Sequence, residues 1–226
     1  MIRIFKEKPI LFSAPMVRAI LDGSKTQTRR MINPQPFIDA QGNFCWNGFC
    51  FGQDSSGNPR SDTLASPLPN SKTGKISCPY GKQDDQLWVK ETWQGYRQVS
   101  IEYDEWEEMD SPKDRHDYDF KPVYRADGKS DPNKWLPSIF MPREFSRIQL
   151  EIVSVRVERL NDCSPQDAID EGIHWRGDKF IGVLDVTPER TGPVMAYQDL
   201  WESINGAGSW DKNPWVWVIE FKVVKP

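Results

Sequence analysis

The segment Arg147–Leu160 constrains this chain more than any other. Its apolar residues first alternate as Ile148, Leu150 and Ile152, and the set then changes phase to Val153, Val155 and Val157. Alternation with period two marks a strand with one buried face. A change of phase turns every later side chain to the other face unless one residue is extra, so it predicts a bulge or a strong bend. Bent strands are what a sheet needs to coil into a barrel. Trp215–Val224 predicts a second long strand, with Trp215, Trp217, Ile219, Phe221 and Val223 on one side. Lys8–Phe12, Ser24–Ile32, Leu87–Trp93 and Lys121–Arg125 read as shorter strands. Three short helices are expected. One follows Ser13-Ala14-Pro15 and ends near Gly23, one opens at Ser164-Pro165-Gln166-Asp167 and ends at Gly172, and one spans Gly192–Asn205. The last is amphipathic, with Val194, Tyr197, Leu200, Trp201 and Ile204 on one face.

Strands are therefore spread from one end of the chain to the other, with no internal repeat and no linker between two cores. The expectation is one domain over 1–226, α+β and mainly β, folded as a small closed or nearly closed barrel with short flanking helices. Two insertions interrupt it, at about 33–85 and 102–134. The first is rich in Gly, Pro, Ser and Asn, and Phe37, Phe44, Trp46, Phe49 and Phe51 give it a means of packing. The second opens with Glu102–Asp119, which holds nine acidic and two basic residues and reads as a solvated surface segment.

Charge and composition exclude several classes. A net charge of -4 rules out a protein that holds nucleic acid by bulk charge, because that mode needs a broad basic surface. No apolar run approaches the roughly 18 residues of a membrane helix, and Met1–Lys8 contains no apolar core of a secretory leader. A cytoplasmic protein, monomeric and free of the membrane, is the expectation. Only His116 and His174 are present, which supplies a Ser-His-Asp or His-metal mechanism poorly. Cys45 and Cys50 are separated by four residues and Cys78 follows, without the paired short spacings or the nearby His of a zinc site. These and Cys163 are expected as free thiols, and no metal or cofactor is called for. Chemistry then falls to Lys, Thr and carboxylates.

The densest cluster of such residues is Gly23-Ser24-Lys25-Thr26-Gln27-Thr28-Arg29-Arg30. A hydroxyl is a weak nucleophile and needs a base. A lysine serves as that base only when desolvation or a neighbouring cation lowers its pKa, and Arg29 and Arg30 can supply the cation. The same cluster can instead hold a phosphate, or form a basic strand edge without function.

Leu21–Arg29 resembles the signature of the ASCH domain, a family of PUA-like barrels: a helix, Gly, a variable residue, Lys-Thr, a further Thr and Arg. Asp85-Gln86-Leu87-Trp88-Val89 is similar to the family's Gly-Asp-x-Leu strand start, with Asp84 in place of Gly. Val218–Lys222 is similar to its closing strand. The whole length, with both insertions, resembles the larger phage and prophage members. Small bacterial enzymes of the family remove the acetyl group of N4-acetylcytidine with a Lys, a Thr and a Glu. The resemblance implies Lys25 as proton acceptor, Thr28 as nucleophile and Glu171, in Ala168-Ile169-Asp170-Glu171, as proton donor. Glu91 is the rival carboxylate, either facing the pocket or pairing with an Arg. Arg29, Arg30, Arg143 and Arg147 are candidate substrate contacts, the last two alternatively pairing with the acidic insertion. Among the ten Trp, Trp93 and Trp210 are the candidates for stacking on a base. Three readings stay open: an amidohydrolase acting on an N4-acylated cytidine, a non-catalytic RNA- or DNA-binding module, and an RNA-cleaving nuclease. The expected partner is a modified nucleoside or RNA, with DNA as the alternative.

Overall fold

The computed structural model describes residues 6–46, 49–51, 77–100, 105–108, 120–128, 134–182 and 189–225. Strand β1 (Glu7–Leu11) leads into helix α1 (Ala14–Leu21), with Ser13 at its N-cap and Pro15 in its first turn, and then into β2 (Gln27–Met31). The 33–85 region contributes a small sheet of β3 (Phe37–Ile38), β4 (Phe44–Trp46) and β5 (Phe49–Phe51). After β6 (Gln86–Lys90) come β7 (Trp93–Ser100), β8 (Glu105–Glu108) and β9 (Phe120–Tyr124), which pair in the order β8-β7-β9. The remainder is β10 (Gln149–Arg159), α2 (Pro165–Asp170), the hairpin of β11 (His174–Arg176) and β12 (Lys179–Ile181), α3 (Pro193–Asn205) and β13 (Trp215–Lys225). The protein is α+β, and strands predominate.

The main sheet has the order β1-β6-β10-β13-β2. Its two long central members, β10 and β13, run antiparallel, and their register slips between Ile152 and Ser154. Val153 is the extra residue. It is 43% exposed, whereas Ile152 and Val157 on either side are buried. The change of phase in the sequence is thus a β-bulge, which puts Val153 outside and keeps Ile152 and Val157, of opposite phase, both on the core side. β13 is buried on both faces from Trp215 to Ile219, as a central strand between two packed layers requires. One face joins a core of Ile10, Val89, Leu150, Ile152, Trp217 and Ile219. The other packs Val216 and Val218 against Tyr197, Leu200 and Trp201 of α3.

Among the described residues the sheet is open, with β1 and β2 as its edges and no ladder between them. A side chain spans the gap: Arg30 of β2 donates from Nη2 to the Leu11 carbonyl of β1 at 2.7 Å. The two edges thus come within reach of one arginine side chain.

The first insertion packs on this sheet through aromatics. Phe44 lies edge-on to Trp215 at 4.9 Å and Trp46 to Trp217 at 5.9 Å. The expectation of free thiols fails at Cys45 and Cys50. They are cross-strand partners on β4 and β5 and form a disulfide. Facing positions on a hairpin bring two sulfurs together whatever the sequence spacing suggests. Cys78 lies apart from them, buried in the core with a free thiol, as does Cys163. Most of Glu102–Asp119 lies outside the described residues. The expected stacking surfaces are also corrected. Trp93 is fully buried and packs with Leu136, Met141 and Phe145, and Trp210 is 8% exposed against Tyr197. Neither offers a ring face to a base.

Candidate active site

Three local structures assemble the site. After α1 the chain turns at Gly23, whose φ of 82° is the left-handed conformation that glycine adopts without strain. The Asp22 carboxylate accepts from the Ser24 backbone N–H at 2.9 Å and fixes this turn. Lys25 and Thr26 then meet the end of α2. Lys25 forms an isolated bridge with Glu171, and the Thr26 N–H donates to the Asp170 carbonyl at 2.9 Å. Finally β2 pairs with β13, setting Thr28 opposite Ile219 and Arg29 opposite Val218.

Helix α2 is short, so its ends decide its position. Ser164 and Asp167 form a capping box, each side chain receiving the other's backbone N–H, a device that stabilises a helix start by about 1 kcal/mol. Glu171 is the C-cap, and Gly172 follows at a φ of 96°.

Lys25 and Glu171, 146 residues apart in sequence, are in contact. The Lys25 Nζ donates to Glu171 Oε2 at 2.7 Å and to the Glu171 carbonyl at 2.9 Å. Lys25 is 1% exposed and Glu171 3%. Burial pulls the Lys25 pKa below its ordinary value and outweighs the opposing pull of Glu171, with Arg30 and Arg29 adding to the depression. Arg29 is also buried. Its Nη2 lies 3.3 Å from Glu158 and 3.4 Å from Asp167, and its Nη1 lies 3.6 Å from Glu171 Oε1. At that last distance neither Arg29 Nη1 nor Glu171 Oε1 has a hydrogen-bond partner.

Thr28, Arg29, Arg30 and Glu171 open onto a cavity of about 400 Å³, a size suited to a small molecule. Its apolar wall is Phe12 from the end of β1 and Tyr197, Leu200 and Trp201 from α3. The cavity draws on both edges of the main sheet, so it sits at the gap that Arg30 spans. Lys25 is not part of its wall and lies behind Glu171.

The other predicted residues divide. Arg30 stays at the cavity, tied to Leu11 and 5.1 Å from the Phe12 ring centre. Glu91 and Arg147 meet one another instead, in a fork of 2.9 and 3.0 Å. Arg147 also pairs with Asp127 and lies 4.0 Å over the Tyr124 ring. Arg143 pairs with Glu7 at 2.9 Å. Asp127 lies within the 102–134 insertion but beyond its acidic stretch Glu102–Asp119, and neither arginine pairs with that stretch among the described residues. The basic motif does not make a basic surface: Arg29 is enclosed by carboxylates and Arg30 is bonded to main chain.

Sequence reasoning missed the support for Glu171. Arg156 on β10 contacts Glu158, Glu220, Asp167 and Gln27, linking β2, β10, β13 and α2. The signal was the polar row Ser154, Arg156 and Glu158, which alternates with Val155 and Val157. Asp167 was read only as a helix opener. Burial raises its pKa, yet the Ser164 hydrogen bond and the Arg29 charge hold it down at about 2. Asp84, which stands where the resembling motif has Gly, has a φ of 69°. That backbone favours Gly and tolerates Asp, so the substitution is physically conservative. Comparisons with protein-family models, curated proteins and solved structures return no match. Among the described residues no helix is long and apolar enough to cross a membrane.

Proposed function

We propose that this chain is an ASCH-type, PUA-like protein that hydrolyses an N4-acylated cytidine, or a closely similar acylated base amine, in the cavity between β1 and β2. The carrying observation is the convergence of Lys25 and Glu171 at 2.7 Å beside a cavity that Thr28 also lines. An open sheet whose edges come within reach of one arginine side chain supports a barrel-like ancestry, as does the left-handed Asp84.

Thr28 attacks the acyl carbonyl. Its proton passes to the Lys25–Glu171 pair, and the same pair protonates the departing amine. Moving one proton along the 2.7 Å hydrogen bond converts the ion pair into a neutral amine and a neutral acid, which are the base and the acid the reaction needs. Burial lowers the Lys25 pKa, which eases that transfer. Glu171 is the member on the cavity wall, so it exchanges the proton with substrate while Lys25 backs it. Water then attacks the acyl-threonine, releasing the carboxylic acid and restoring the Thr28 hydroxyl.

Mass spectrometry of N4-acetylcytidine incubated with the protein tests this reading. Cytidine and acetate are expected from wild type, with none from Thr28→Ala or Lys25→Ala. An unchanged substrate at high wild-type concentration overturns it. Unchanged substrate together with saturable binding in calorimetry leaves the non-catalytic binding module in its place.

A further inference from the structure

A second cluster of reactive groups lies away from the cavity, on the hairpin of the first insertion. The sulfurs of Cys45 and Cys50 and a carboxylate oxygen of Asp39 all lie within 4.8 Å of one another. Cys45 and Cys50 face each other across β4 and β5, with Cα atoms 4.0 Å apart. Asp39 opens the turn between β3 and β4 and is held firmly. Its Oδ1 accepts from the backbone N–H groups of Gln41 at 2.9 Å and Asn43 at 2.8 Å, and the Asn43 side chain reaches both of its oxygens. Its Oδ2 lies 3.7 Å from the Cys45 sulfur. A carboxylate locked by its own turn beside two sulfurs does more than a hairpin staple requires.

We infer that Asp39, Cys45 and Cys50 form a site for a thiophilic divalent cation that exists only in the reduced protein and is closed by the Cys45–Cys50 bond on oxidation. Reduction by a phosphine breaks the S–S bond. The phosphine gives two electrons and becomes a phosphine oxide with oxygen from water, and the sulfurs become two thiols. A divalent ion then displaces the two thiol protons. The product is a dithiolate–carboxylate set with a fourth position for water, the donor chemistry that zinc-like ions prefer over harder cations. The cross-strand register limits how far the sulfurs part after reduction, and Asp39 is already in place. Phe44 and Trp46, on either side of Cys45, pack against Trp215 and Trp217 of β13, so the site stands on the core sheet. This inference does not depend on the chemistry of the cavity.

Cobalt(II) titration of the full chain tests it, because tetrahedral cobalt thiolates absorb in the visible and near ultraviolet. Phosphine-reduced wild type is expected to develop these bands with one equivalent of cobalt, lose them to zinc, and show none when oxidised. Cys50→Ser should abolish them, Asp39→Asn should weaken binding at least about tenfold, and Cys78→Ala with Cys163→Ala should leave them intact. The reversible appearance and loss of the bands in unsubstituted protein makes the test independent of whether a variant folds. Absence of bands in reduced wild type overturns the site, as does their persistence in folded Cys50→Ser. Unchanged affinity in Asp39→Asn removes the carboxylate from it.

Discussion

Two buried carboxylates among the described residues, Glu91 and Glu171, each meet a cation, and the two pairs differ in one respect. Glu91 is bound by Arg147 through both oxygens, and Arg147 is further engaged by Asp127 and the Tyr124 ring. Glu171 is bound by Lys25 through one oxygen, and its other oxygen faces Arg29 without a hydrogen bond at the wall of a cavity. A saturated pair has nothing left to offer a ligand. A half-saturated one, costly to maintain in a dry interior, retains an acceptor for it. By this criterion Glu91 serves the fold, and Glu171 is the carboxylate left with an oxygen for a ligand.

The largest expected effect separates the two in turnover. Glu171→Gln, isosteric but unable to carry the proton, should lower deacetylation of N4-acetylcytidine by about 10²–10⁴-fold. Glu91→Gln should leave it within about threefold of wild type, a change far below what a lost proton-transfer group produces. Equal losses in both variants would break the distinction, and so would a reversed order.

Stability should divide in the opposite sense. Arg147→Ala leaves Glu91, whose side chain is 1% exposed, without its partner. Stranding a buried charge costs about 3–5 kcal/mol, to be read as a fall in the urea midpoint at unchanged slope. Burial already pushes the Glu91 pKa upward, and only Arg147 opposes it. The Arg147→Ala protein should therefore recover part of its loss on acidification, as Glu91 takes up a proton. A flat pH response would deny that the pair is electrostatic.

How far the sequence reached follows from these same residues. The bulge at Val153 was legible because a period-two pattern records which face is buried, and one extra residue leaves a visible slip. The ends of α2 were legible because capping is local. The meeting of Lys25 with Glu171 came only through a resemblance, since pairing over 146 residues leaves no local trace. Arg147 with Glu91 stood as one of two alternatives for the same reason. Cys45 with Cys50 was misjudged because spacing was weighed and strand register was not known. Trp93 was misjudged because it was placed at the open end of the Leu87–Trp93 strand, whereas it begins a strand of its own and is covered by Leu136 and Met141. Arg156 was overlooked because a charged residue in a strand ordinarily faces water, and here its face carries the carboxylates that carry Arg29.

A smaller effect tests that supporting layer. Asp167 titrates at about 2 in the folded protein against 3.8 ordinarily. A carboxyl held low in the folded state stabilises it above the ordinary pKa, and this contribution is lost as pH falls from about 4 toward about 2. Asp167→Asn should be less stable than wild type near neutral pH, and the difference should shrink across that acid window. Urea unfolding at stepped pH measures it, and a difference independent of pH would show that Asp167 acts through its cap hydrogen bonds alone.

The smallest expected effect, that of Ser164→Ala, links the cap to the chemistry. The substitution removes the side-chain acceptor for the Asp167 N–H and should cost about 1 kcal/mol of stability. It touches neither Lys25 nor the cavity. If α2 serves only to complete the fold, turnover of N4-acetylcytidine should be unchanged once the protein is fully folded. If the cap sets the place of the Glu171 carboxylate, as the length of α2 implies, kcat should fall by a few fold while KM stays near wild type, because positioning of a proton-transfer group is felt at the transition state. The corresponding change in the Glu91 region, Tyr124→Phe, removes a hydrogen bond to the Phe145 carbonyl and should alter stability alone. The two substitutions together ask of each pair's surroundings what the first prediction asks of the carboxylates themselves.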